Sequence, residues 1–560
     1  MPSLWRSSLL VLAAGESWTR SASTTQCLNG PCGPGNDHCG APFQNAPTFH
    51  LMDQHGCGEN DPNGPVFDPV HGVVHHFYQI HLAAPPGHGP DYGHFVSKDF
   101  VHWAQMPVAI WNGLDASVRP PRRTPYDEAA IFTGSAVVVD GAGPGGKGPG
   151  VVQIYPGLCT KDWPNCTTGT LLAQAVPANY AADALLENWT KPSYNPIIEG
   201  TQRDPSAPWK TAGGEWRLRT FNSMLYGAAS DADLVAGKWY EIGHSDDFKQ
   251  CECPSFYPLP RPSPGFEDAY REAAAAGKLP THVHKYSCGG DWWQLGTYEE
   301  GAARSAGRFS ATLGWEDAFV RQRIDQGHYY ASKDNEYPTK GGEKRRVNWG
   351  WATVPPGSTQ TLPREVTFNA AVRRLEQAPL EELRALRGPA AYRKSDLELK
   401  AQGIEDLGLH AGVAKHSEIV AVFELPQGAT TFGVSIDSLT CSVDYTPPAS
   451  ASAPFYEAHV SCGNLKDFLR LTPSEKTVEV RIFADATFVE AYFQKGRVAM
   501  TQVVSLSDDT RVALSSKGSL VVRSAEAYPM KSIWVQPDDV RKAPRIYPAG
   551  GIESSAAVFM

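Results

Sequence analysis

Apolar and polar positions alternate in short runs along most of this chain, and Gly, Pro and Asp break the runs every few residues. From about residue 45 to 385 the pattern predicts strands at 73–80, 130–139, 151–155, 215–219, 238–242, 282–286 and 292–297. Helical periodicity is scarce. The main exception is 266–278, alanine-rich with acids early and Gly277 near its end, which predicts an inserted helix. Leu380-Glu-Glu-Leu-Arg-Ala-Leu-Arg387 predicts a second, short amphipathic helix that closes this region. A linker is expected at 386–397. Strands resume through 398–540, at 418–425, 431–436, 456–461, 478–483, 487–493, 498–503 and 518–522. A period of two is plain in Val478-Glu-Val-Arg-Ile-Phe483. The stretch 541–560 turns rich in Gly, Ser and Ala after Pro548 and predicts a disordered tail. The fold class is all-β, and patterning alone does not choose between sandwich, barrel and propeller.

Composition narrows the function. The 560 residues allow more than one domain and a large core. The net charge of −10 argues against a nucleic-acid partner. No run of about 18 apolar residues occurs, so no membrane span is expected. Residues 1–24 resemble a secretory signal, with Arg6 ahead of a short apolar run from Ser7 to Ala14. Two glycosylation sequons, Asn165-Cys166-Thr167 and Asn188-Trp189-Thr190, and 11 cysteines point the same way. The expected location is secreted, extracellular or in a vacuolar lumen. Cys27, Cys32 and Cys39 lie in a cysteine-containing segment, 25–44, and cluster with Cys57. Cys159 and Cys166 flank a loop, and Cys441 and Cys462 lie on neighbouring predicted strands. All are disulfide candidates, and the odd count leaves at least one thiol over. Cys251-Glu252-Cys253 reads as structural rather than redox. No paired Cys-x-x-Cys set is present, so no metal is expected.

The chemistry concentrates at Glu59-Asn60-Asp61-Pro62-Asn63-Gly64-Pro65. Pro62 lacks a backbone donor and Asn63-Gly64 favours a tight turn. Asp61 is therefore expected at a strand end, on a stiff backbone, pointing into open space. That suits a nucleophile, although the same residues also make an ordinary surface turn. Two later stretches each set a carboxylate beside a proline and near aromatics. They are Gln202-Arg203-Asp204-Pro205-Ser206-Ala207-Pro208-Trp209 and Cys251-Glu252-Cys253-Pro254-Ser255-Phe256-Tyr257-Pro258. Three such segments suggest three carboxylates brought to one pocket.

Together the segments resemble glycoside hydrolase family 32, the invertases and fructan-active enzymes. Its hallmarks are Asn-Asp-Pro-Asn-Gly, Arg-Asp-Pro and Glu-Cys segments in that order. Phe77-Tyr78-Gln79, Gly93 to Asp99 with His102-Trp103, Phe132 to Ala136, and Tyr329-Tyr330-Ala331-Ser332-Lys333 match as well. The resemblance covers about residues 45–535. It implies a five-bladed β-propeller catalytic domain over 45–385, with its site in the central funnel, and a C-terminal β-sandwich over 398–540.

The resemblance also implies an activity: a retaining β-fructofuranosidase that releases terminal β-D-fructofuranosyl groups, with sucrose the first substrate. Two carboxylates and water complete that reaction without a cofactor. By the same carry-over Asp61 is the nucleophile, Glu252 the acid/base and Asp204 the transition-state stabiliser. Asn60, Gln79, Phe132, Thr133, Arg203 and Tyr298 bind substrate, and Cys253 is the free thiol. The two catalytic carboxyls should lie about 5–5.5 Å apart. Asp61 should be charged while Glu252 holds its proton. His75, His76, His94 and His102 are expected to be structural or at the surface. Three departures bear on the glucosyl side of a substrate. Gly58-Glu59 stand where the family often has Trp-Met, Tyr92 for Trp before Gly-His, and Cys251 for Trp before Glu-Cys. Fructan exohydrolase and fructosyltransferase activity therefore stand as alternatives, and a non-catalytic sugar-binding protein as a further one.

Overall fold

Strand pairing between neighbours in sequence dominates the architecture. The computed structural model describes residues 45–548 apart from 55, 82–88, 164–165, 167–168, 201–202, 312–321, 411 and 451. Among these, five antiparallel sheets follow one another from Pro62 to Pro379. The first runs in chain order through Pro62–Asp68, Val73–His81, Pro90–Ser97 and Trp103–Ile110.

Apolar clusters join each sheet to the next. Val66 and Phe77 of the first pack with Val151 and Tyr155 of the second. Val152 and Leu172 of the second pack with Leu218 and Tyr226 of the third. Leu225 of the third meets Phe256 and Phe309 of the fourth. Val283 and Trp293 of the fourth meet Tyr329 and Phe368 of the fifth. Finally Val347 and Trp349 of the fifth pack with Phe67 and Val74 of the first. The ring closes, and the molecule is a five-bladed propeller followed by a β-sandwich. Closure also explains why so many strands are buried on both faces: each blade is covered by two neighbours.

The sandwich consists of two six-stranded sheets. One runs from Tyr392–Leu399 to Val498–Val503 and the other from Gly403–Asp406 to Leu465–Leu471. Ile419, Phe423, Val434, Ile482 and Leu514 fill the space between them.

The propeller and sandwich meet through a buried charged network. His50 sits between Asp485 at 2.8 Å and Glu490 at 3.0 Å. Arg364 reaches Glu490 at 2.7 Å and Asp325 at 2.9 Å. Beyond Pro529 the chain leaves the sandwich. Ile533 and Tyr547 enter the core shared by blades one and five, and Val540 packs with Val73 and Val96.

Several expectations change. The Asp-Pro-Asn-Gly stretch is not a free tight turn. Pro62 already opens the innermost strand of the first blade, and the turn chemistry makes a bulge between Asn63 and Val66, with Gly64 at φ +45°. The strand expected at 130–139 is broken into Ala130–Ile131 and Ser135–Asp140. A Cβ on Gly134 would stand 2.4 Å from Ile154 O and from Tyr92 Oη, so only glycine lets the chain turn there. The expected helices are α-helix Glu267–Ala275 and the tighter 3₁₀ helix Glu381–Leu386. The stretch read as a linker holds most of strand Tyr392–Leu399, and the expected tail begins inside helix Pro537–Lys542.

Disulfides join Cys159 to Cys166 and Cys441 to Cys462, as the sequence suggests. A further one, Cys251–Cys288, is not legible from local spacing. Cys57 is disulfide-bonded too. The possible signal at 1–24, Cys27, Cys32 and Cys39, the Asn165 sequon and residues 549–560 lie outside the described residues. Asn188 is described and half-buried.

Candidate active site

The inner strands of blades one, four and five share one irregularity. Each loses register within its first two residues: between Asn63 and Val66, between Glu252 and Ser255, and between Tyr330 and Lys333. Gly64, Cys253 and Ala331 take positive φ at these bulges, at +46° for Cys253 and +51° for Ala331. A bulge bends its strand and re-aims the side chains beside it. Here it turns Asp61, Glu252 and Tyr330 toward one another. Asp204, at φ +60°, enters from the third blade. Left-handed backbone at three non-glycine residues is strain that the packed ring sustains.

The three sequence-predicted carboxylates come together. Asp61 is pinned by its backbone, which accepts from Gln79 N at 3.0 Å. Its Oδ2 accepts from Thr133 Oγ1, and that hydroxyl accepts from Gln79 Nε2 at 2.7 Å. Asp204 is almost fully buried, and its Oδ2 accepts from Cys253 N at 3.1 Å. The Cys253 sulfur lies 3.8 Å from Asp61 Oδ2 and 3.9 Å from Asp204 Oδ2, so one atom touches both. Glu252 is the open member. Its side chain is 32% exposed, with Oε1 paired to Arg203 and Oε2 accepting from Tyr330 Oη at 2.7 Å. Arg203 lies over the Phe221 ring and reaches Asp204 at 3.8 Å.

Two buried lysines form the floor. Lys333 Nζ donates to Pro205 O at 3.1 Å and Ser135 Oγ at 3.2 Å. Lys285 Nζ donates to Cys253 O at 3.0 Å and pairs with Asp291. Burial pushes the Asp61 carboxyl up, to about 7; the Thr133 hydrogen bond opposes this, the charges of Asp204 and Glu252 add to it, and Lys333 opposes it. Burial also raises Asp204, against Lys333, Arg203 and the Cys253 N–H. Burial, with Asp204 and Asp61 alongside, raises the Cys253 thiol far enough to keep it protonated. This departs from the expectation of a charged Asp61. Asp61 is the carboxyl that burial lifts, whereas Glu252 faces solvent and a guanidinium.

Of the remaining expected residues, Thr133, Gln79 and Arg203 bond into the cluster, and Asn60 and Phe132 are chain neighbours of Asp61 and Thr133. Tyr298 does not. It packs on Phe256 and His282 in the outer part of blade four, with its hydroxyl toward Ala306 O. His75, His76 and His94 are fully buried, and burial lowers the first two to about 4 and about 3. His102 is exposed beside Asp99.

The departures noted in the sequence turn inward. The Glu59 carboxylate accepts from Asp53 N and Gln360 Nε2, and Tyr92 donates to Phe132 O. Sequence reasoning assigned no role to Tyr330 or Lys333. A lysine inside a buried strand, two residues after a small residue and an aromatic pair, was the available signal. Among the described residues no three His, Cys, Asp or Glu side chains are arranged to hold a metal ion. No described helix is long and apolar enough to cross a membrane.

Residues 50–379 match the family model for the Glycosyl hydrolases family 32 N-terminal domain, and 373–529 that for the Glycosyl hydrolases family 32 C terminal. The chain is 28% identical over 424 residues to a fructan 6-exohydrolase of Triticum aestivum, spanning 69% of this chain and 65% of that protein. It is 29% identical over 384 residues to the beta-fructofuranosidase insoluble isoenzyme 2 of Daucus carota, spanning 63% and 58%. The chain thus matches somewhat less than two thirds of the length of these relatives. In three dimensions it resembles fructan 1-exohydrolase IIa from Cichorium intybus, with a TM-score of 0.66 at 22% identity over 88% of this chain and 99% of that one.

Proposed function

The chain belongs to glycoside hydrolase family 32, and on that premise we propose that it is a retaining β-fructofuranosidase that hydrolyses sucrose to glucose and fructose. The observation that carries this reading is the convergence of Asp61, Asp204 and Glu252 from blades one, three and four into one cluster. Asp61 attacks the anomeric C2 of the fructosyl group. Glu252 protonates the departing oxygen, then takes a proton from the water that releases fructose. Arg203 and Tyr330 hold the Glu252 carboxyl from both oxygens and so fix its direction toward the leaving group. Thr133 and Gln79 hold the attacking oxygen in line. Asp204 accepts hydrogen bonds from fructose hydroxyls as positive charge develops on the ring. Asn60, Phe132 and Arg203 border the sugar.

Fructan exohydrolysis is the second reading. The tryptophans often found at the glucosyl rim are replaced here by residues that turn inward, and one relative is a fructan 6-exohydrolase. One assay separates the readings. The protein is incubated with sucrose, and free glucose and fructose are measured separately. Equal release supports hydrolysis. Glucose in clear excess means fructosyl transfer to sugar. Fructose released from inulin or levan but not from sucrose means an exohydrolase, and no release from any of the three overturns the catalytic reading.

A further inference from the structure

Glu252 stands at a vulnerable point of its strand. It opens Glu252–Pro258, and its one ladder partner there is Ser287. The next rung is missing because the bulge displaces pairing to Ser255 and Lys285. Strand ends next to a missing rung open easily. From the C-terminal side the backbone is held by Cys253 N on Asp204 and by Lys285 on Cys253 O. On the N-terminal side the ladder ends at Glu252–Ser287, and the residues just beyond it, Cys251 and Cys288, are joined by a disulfide. Cys251 is buried, whereas Cys288 is exposed at the turn before Asp291–Glu299.

We propose that Cys251 and Cys288 are positioning residues for the acid/base Glu252: their disulfide clamps the strand end on the side away from the missing rung and holds the carboxyl between Arg203, Tyr330 and the leaving group. The inference rests on the acid/base reading of Glu252. It also makes this step sensitive to reduction. A dithiol reductant reaching Cys288 breaks the sulfur–sulfur bond; two electrons and two protons pass to the cysteines, and the reductant becomes its own disulfide.

The test uses two substrates and the full chain. Sucrose needs its leaving oxygen protonated; a p-nitrophenyl β-D-fructofuranoside leaves with little help from an acid. Cys288→Ser and the Cys251→Ser/Cys288→Ser pair should lose about 10- to 100-fold in kcat on sucrose, part of the roughly 10²- to 10⁴-fold that a positioned general acid contributes, with KM little changed. On the aryl substrate with added azide, which needs no general base, the loss should stay within about threefold. Cys159→Ser/Cys166→Ser removes another disulfide and should lower both substrates equally or neither. Equal losses on the two substrates in the Cys288 variant, or no loss on either, overturn the proposal. Glu252→Ala is the separate control. Near-full sucrose activity in that variant removes the acid/base reading itself, whatever the cysteine variants do.

Discussion

Tyr330 donates its hydroxyl to Glu252 Oε2 at 2.7 Å across the gap between blades five and four. The bond depends on two bulges, one at each strand, and on the left-handed backbone of Ala331 and Cys253.

Removing that hydroxyl should weaken proton transfer more than binding. A hydrogen bond to a charged group contributes about 1.5–3 kcal/mol, or roughly 10- to 100-fold in rate. Tyr330→Phe is expected to lose that much in kcat on sucrose while KM changes little. Steady-state kinetics decide it, and a rise in KM at constant kcat would point to a sugar-binding role instead.

Asp61 links activity to stability. Its folded value of about 7 lies above the ordinary 3.8, so the fold favours the neutral carboxyl. That contribution is fully present below pH 3.8 and is lost as pH rises toward 7. A shift of that size corresponds to at most about 4 kcal/mol, an upper bound for a half-buried side chain. Asp61→Asn should abolish turnover yet melt at a higher temperature than the parent at pH 7.5, with the gap closing at pH 4. Thermal melts across that range check it, and a gap independent of pH would count against a buried, lifted carboxyl.

Lys333 supplies the positive charge beneath Asp61 and Asp204. Without it both acids ionise less readily, so the acid limb of the kcat/KM profile should move upward in Lys333→Met, by about one pH unit. Lys333→Arg should keep the limb near its original place. A profile that merely drops in height, without shifting, would show that Lys333 acts only through packing.

The seam between propeller and sandwich has its own pH window. Burial raises Glu490, but the Arg364 charge and the His50 hydrogen bond outweigh it and hold the carboxyl at about 2, against an ordinary 4.5. Its contribution, about 3 kcal/mol, is present above pH 4.5 and fades as pH falls toward 2. Burial lowers His50, yet its hydrogen bonds to Asp485 and Glu490 raise it above 6.5 overall. That contribution is present below 6.5 and is lost as pH climbs past the raised value. The seam is therefore firmest in mildly acidic solution. Glu490→Gln should lower the melting temperature most at pH 5–6 and least near pH 2, read by calorimetry at each pH.

Local chemistry made the carboxylates legible, because each sits in a short stretch whose turn and proline pattern is distinctive. The strands were legible from alternation, and ring closure was not, since it depends on blade one meeting blade five. Asp-Pro-Asn-Gly misled at short range: the same residues that make a turn also make a bulge, and only the partner strand decides. Cys251 and Cys288 are 37 residues apart and meet only because the strands beside them pair. His50 and Asp485 are 435 apart. Tyr298 looked like a pocket residue, but period-two alternation says which face a side chain takes and not whether that face meets the funnel or the neighbouring blade.

The return of residues 530–548 to the first blade has a consequence for biosynthesis. Trp103 bridges to Trp534, and Tyr547 completes the apolar wall around Phe67 and Phe100. Blade one is thus assembled from both early and late parts of the chain, with the whole sandwich made in between. A nascent chain stalled after Pro529 would carry Asp61, Asp204 and Glu252 yet lack part of the apolar wall of the blade that holds Asp61. The propeller is thus expected to close only after residues 530–548 have been made, and a frameshift beyond the sandwich should destabilise blade one while leaving Asp61, Asp204 and Glu252 in the sequence.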